Sequence, residues 1–87
     1  MKTIEELQNV LDGYARASGA TDPIITLAPG HESYIISVRF DGARWLVYKD
    51  RKELDHDPIH VMFQAMETMI LWNHAEAIEM SASTEQD

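Results

Sequence analysis

The stretch from Tyr34 to Asp50, YIISVRFDGARWLVYKD, decides how this chain folds. Two apolar-rich runs flank Asp41-Gly42, and an Asp-Gly pair favours a two-residue type I′ hairpin turn because both central residues need positive φ. Fixing the turn fixes the register. On one face Phe40 stands opposite Ala43, Val38 opposite Trp45, Ile36 opposite Val47 and Tyr34 opposite Lys49. On the other, Arg39 faces Arg44, Ser37 faces Leu46 and Ile35 faces Tyr48. The first face is nearly all apolar and is the expected core side. The second mixes aliphatic, aromatic and arginine side chains, the composition of a protein interface. Two arginines directly across a ladder repel unless something acidic lies over them, whether Asp41 or Asp50 of the same hairpin or a partner.

Upstream, Thr3-Ile4-Glu5-Glu6 fits a capping box. Ile4, Leu7, Val10, Leu11 and Tyr14 then recur at helical spacing, and Gly19 is a natural left-handed stop. This predicts a first helix over 4–18. Ala20 to Pro23 reads as a turn, and Ile24 to Leu27 as a short strand whose opening Pro23 suits a sheet edge. Its Ile24-Ile25 pair could also support pairing between chains. Downstream, 49–57 reads as a charged connection. Asp57-Pro58 then supplies an N-cap and a proline at the first helical position, opening a second long helix over about 58–79. Ile59, Met62, Phe63, Met66, Met69, Ile70 and Ala77 fall near one line on that helix and form its expected core stripe. Ser81 to Asp87 has no apolar anchor and reads as a disordered tail.

The order is therefore αβββα over residues 1–80. The expected fold is α+β, a three-stranded antiparallel sheet in chain order with two helices on one face and the other face open. At 87 residues the chain is a single domain.

Composition narrows the function classes. There is no cysteine, so disulfides and thiolate metal sites are excluded and a reducing, cytoplasmic compartment is the expectation. The acidic amphipathic start is no signal peptide, and the apolar runs are far too short for a membrane span. Seven basic and fifteen acidic residues give a net charge of −8, which disfavours nucleic acid or an anionic membrane as a direct partner. The charge is unevenly spread. Residues 39–52 hold five basic and two acidic residues, a net of +3; the remaining two basic and thirteen acidic residues make −11.

No motif points to catalysis. The His56/His60 pair in DHDPIH straddles the expected helix start, so no helical turn holds both rings on one face, and polar residues at a helix N-terminus account for it. No GxSxG elbow and no phosphate loop is present, and the four glycines are dispersed. Neither a catalytic residue, a metal nor a cofactor is expected. The candidate binding residues are Arg39, Arg44, Leu46 and Tyr48 on the outer hairpin face, and Trp72, which with Val61 and Ala65 projects off the core stripe. Asp55 and Asp57 are candidate charges for orienting a partner.

The αβββα order, with its Gly-turned hairpin after Pro29-Gly30, resembles the double-stranded-RNA-binding domain. The last helix here opens Asp55-His56-Asp57-Pro58-Ile59-His60, where that family carries lysines, so no RNA-binding residue transfers. Over residues 3–79 the same order, length and acidity are similar to small phage anti-CRISPR proteins. That resemblance implies an inhibitor acting in the cytoplasm of a host bacterium. It would occupy the basic nucleic-acid-binding surface of a protein partner, with acidic surface standing in for nucleic acid. Antitoxin-type and immunity-type inhibitors share this size and charge. A homo-oligomeric accessory module, with a homodimer burying Trp72 or the open sheet face, is the competing class.

Overall fold

The Asp41-Gly42 turn adopts φ of 49° and 85°, the doubly positive geometry that Asp-Gly favours. From it, β2 (Ser33–Phe40) and β3 (Ala43–Asp50) pair without interruption from Phe40/Ala43 to Ser33/Asp50, in the register expected from the turn. The computed structural model describes residues 3–85, with side-chain surroundings over 3–78. The order is α1 (Ile4–Ser18), β1 (Thr21–Leu27), β2, β3, α2 (Arg51–His56) and α3 (Pro58–Glu85). The sheet is antiparallel with strand order β1-β2-β3. The fold is α+β with the expected αβββα course, and a short extra helix precedes the last one.

Local chemistry explains the ends of α1. The Glu6 backbone N–H donates to Thr3 Oγ1 at 3.1 Å, and Gly19 closes the helix at φ 77°. Its inward side chains Leu7, Leu11 and Ala15 meet Ile25, Tyr34, Ile36, Val38 and Phe40 of the sheet. Leu54 of α2 and Val61, Met62, Ala65, Met66 and Met69 of α3 complete the same cluster. All three helices thus lie on one sheet face.

The structure corrects four sequence expectations. First, β1 starts at Thr21 and not at Ile24, with a bulge between Thr21 and Ile24 that sets Asp22 at φ 49°. Second, the charged connection contains α2. Asp50 Oδ2 accepts from the Glu53 N–H at 3.3 Å, and the fully buried Leu54 anchors the helix. One apolar residue in nine gives no periodic signal, so this helix depends on tertiary packing.

Third, the buried face of α3 is turned about 70° from the expected stripe, at 100° per residue. Val61 and Ala65 are buried, whereas Ile59, Phe63 and Ile70 are 55%, 50% and 39% exposed and Ala77 is exposed too. The small Ala65 is fully buried in the core cluster shared with the sheet. Phe63 instead packs edge-on against Tyr14 of α1, with centroids 6.0 Å apart. Fourth, α3 runs to Glu85, past its expected end near residue 79 and into the segment 81–87 expected as a disordered tail; Gln86 and Asp87 lie outside the described residues. Neither glycine nor proline interrupts the sequence there.

α3 outruns the body. Trp45 on β3 meets Trp72, with centroids 6.5 Å apart and planes at 47°, and its Nε1 donates to Asn73 Oδ1 at 3.0 Å. From His74 to Ile78 every side chain is exposed. The molecule is correspondingly long, 52 × 26 × 19 Å. No helix among the described residues is long and apolar enough to cross a membrane.

Candidate functional site

The outer face of the sheet carries no helix. Register places Ile24 and Thr26 of β1, Ile35, Ser37 and Arg39 of β2, and Arg44, Leu46 and Tyr48 of β3 on it. Ile24, Leu46 and Tyr48 are 45%, 47% and 59% exposed. They leave an apolar band across three strands, too regular to be scattered surface residues.

The two arginines at one end of this band have different environments. Arg44 Nη1 donates to Ser37 Oγ at 2.8 Å and to the Asp22 carbonyl at 3.2 Å. Its Nη2 lies 3.8 Å from Asp22 Oδ2, and Arg39 Nη1 lies 3.7 Å from the same oxygen. The carboxylate over the arginine pair is therefore Asp22, delivered by the β1 bulge, and neither Asp41 nor Asp50. Ser37 is buried beneath Arg44, so that guanidinium is part of the sheet's own polar network. Arg39 is the freer of the two, with its side chain 46% exposed. Sequence reasoning missed Asp22 because its position depends on a bulge, although Asp-Pro before a strand is a signal for irregular backbone.

Asp57 and Asp55 also separate. Asp57 caps α3, its Oδ1 accepting from the His60 N–H at 3.4 Å. Asp55 is tied inward, accepting from the Tyr34 hydroxyl at 3.2 Å and lying 3.9 Å from Arg51 Nε. Burial, and then the charge of Asp55 and its hydrogen bond, raise the Tyr34 phenol above its ordinary pKa against the opposing pull of Arg51. Asp55 is thus a partner of a buried tyrosine, not a free steering charge.

Trp72 is half-exposed where α3 leaves the body, more than 20 sequence positions from the hairpin but touching Trp45. Nearby, Tyr14, Ser18, Phe63, Met66, Ile70 and Leu71 line a largely apolar groove of about 200 Å³ between α1 and α3. A wider groove of about 570 Å³ lies between the β1–β2 loop and α2, lined by His31, Glu32, Asp50, Arg51, Lys52 and Asp55. Its best-placed carboxylates are engaged, Asp50 in capping α2 and Asp55 with Tyr34 and Arg51. Among the described residues no group of three or more His, Asp and Glu side chains is placed to hold a metal ion. His56 ends α2 and His60 belongs to α3, so the HxxxH pair spans two helices.

The sheet's outer face thus gathers Arg39, Arg44, Leu46 and Tyr48, and it leaves Trp72, Asp55 and Asp57 elsewhere. No protein-family model, no curated protein and no solved structure matches this chain, so the reading of these surfaces rests on their own chemistry.

Proposed function

We propose that this chain is a protein-binding inhibitor that acts by occupancy and not by turnover, docking on the basic nucleic-acid-handling site of a partner protein. The observation that carries this reading is the uncovered apolar band of Ile24, Leu46 and Tyr48 on a molecule of net charge −8. Apolar and aromatic anchors exclude water at the centre of an interface, and charge around them sets orientation and on-rate. Asp22 over Arg39 and Arg44 reduces that end of the face to a single net positive charge, and the attraction to a basic partner comes from the acidic residues outside residues 39–52, which carry a net −11.

The test is competition. Purified protein is titrated into a nucleic-acid-guided nuclease complex while target binding is followed; the expected result is displacement that saturates at a fixed stoichiometry. Tyr48→Ala, at an exposed position, is expected to weaken inhibition about 30-fold, the equivalent of a ~2 kcal/mol anchor. Full potency in Tyr48→Ala and Leu46→Ala, with loss in Trp72→Ala, would move the contact to α3.

A further inference from the structure

The two edges of the sheet are treated differently. On β1, Gln8 of α1 acts as a surrogate strand: its Nε2 donates to the Pro23 carbonyl at 2.7 Å, and its Oε1 accepts from the Ile25 N–H at 3.1 Å. The bulge and Pro23 blunt that edge further. The chain-to-chain pairing expected for Ile24-Ile25 is therefore obstructed by the molecule itself.

The edge of β3 has no such guard. Its eight residues contain neither proline nor bulge. In a two-residue hairpin the closing Phe40/Ala43 pair is hydrogen-bonded, and narrow and wide pairs then alternate. The backbone N–H and C=O groups of Arg44, Leu46 and Tyr48 consequently face away from β2. Among the described residues no backbone bond from another element meets them. Of the strand's two long cations, Arg44 folds back over the sheet to Ser37 and Asp22, and Lys49 has its side chain on the inner face opposite Tyr34, so neither lies along the edge.

We infer that β3 pairs antiparallel with β3 of a second copy, joining two sheets into one of six strands about a two-fold axis at Val47. This occupant is favoured by the strand's own sequence. Only outward-facing residues can form the new hydrogen-bonded pairs, and the register centred on Val47 matches them while using the whole strand. It sets Leu46 opposite Tyr48 on the outer face, an aliphatic–aromatic pair, and Trp45 opposite Lys49 on the inner face. At each end Arg44 stands opposite Asp50, and no like charges meet. Leu46 and Tyr48 keep their side chains on the outer face, so pairing doubles the apolar band and leaves it open.

Two measurements decide the matter. Val47→Cys places one thiol per chain at the axis of a protein with no other cysteine. Val47/Val47 is a non-hydrogen-bonded pair with Cα atoms about 4.5 Å apart, within disulfide reach. Mild oxidation should link this variant quantitatively, and leave Glu5→Cys on the exposed first turn of α1 unlinked. Light scattering should give twice the chain mass for the unmodified protein. Leu46→Pro, which removes an N–H that β2 does not use, should give a monomer. A monomer at every concentration tested overturns the proposal. So does a dimer in which Val47→Cys fails to link, since its contact lies elsewhere. If Leu46→Pro does not fold, the cysteine pair alone gives the answer.

Discussion

Arg39 and Arg44 face one another across the ladder and share one carboxylate, yet their substitution should have unequal consequences. Arg44 makes a short charged bond to a buried hydroxyl, a class worth about 1.5–3 kcal/mol, whereas Arg39 makes only an exposed ion pair, worth about 0–1 kcal/mol. Arg44→Ala is expected to lower the thermal midpoint by about 6–24 °C, and Arg39→Ala by less than about 8 °C, in calorimetry. Equal shifts would mean that Ser37 finds another partner. Tyr34 gives a pH test with a defined sign. Its phenol is raised in the fold, chiefly by burial, so on alkalinisation the unfolded chain releases that proton first, near pH 10. The stability tied to the protonated phenol is present below about pH 10 and is lost as pH rises from there through the raised pKa. Tyr34→Phe removes the bond to Asp55 and should cost about 1 kcal/mol at neutral pH. Urea unfolding at pH 8 and pH 11 should show that deficit shrinking at the higher pH; a constant gap would contradict the assignment.

At the scale of elements, α3 turns a different face to the sheet from the one its sequence advertises. Apolar residues occupy more than half of its circumference, so 3.6-residue periodicity identifies the helix without identifying its inner side. Packing decides, through the small Ala65 against the sheet and the Tyr14 ring against Phe63. Ala65→Leu should therefore destabilise by about 1–3 kcal/mol through overpacking, while Ile59→Gln should stay within about 0.5 kcal/mol. Denaturant midpoints in the reverse order would restore the stripe through Ile59. The hairpin was readable because Asp41-Gly42 specifies both turn and register. The edge cover by Gln8 was not, since nothing local in a helical glutamine indicates that it will bond a strand 15 residues away. Gln8→Ala exposes one donor and one acceptor of β1 and should cost about 1–2 kcal/mol, with faster aggregation in turbidity assays. Unchanged stability and solubility would show that water replaces the amide without penalty.

Over the whole molecule, the αβββα order, the single core face and the open outer face were legible in 87 residues because each element has its own punctuation. The charge balance of the outer face was only half legible. Arg39 and Arg44 follow from the turn, but Asp22 reaches them from another strand through a bulge that composition does not announce. One feature of the fold as a whole also governs how it opens. From His74 to Ile78 every side chain of α3 is exposed, so the helix depends there mainly on its own backbone ladder, and an isolated helix of about a dozen residues is marginal in water. Amide hydrogen exchange should therefore divide this one continuous helix into two populations. Amides around Met62 to Met69 exchange only when the entire domain unfolds, while those beyond Asn73 exchange through local fraying that leaves the core intact. The boundary lies where the Trp45 indole grips the helix, so Trp45→Phe should move the fast-exchanging zone inward by about a turn.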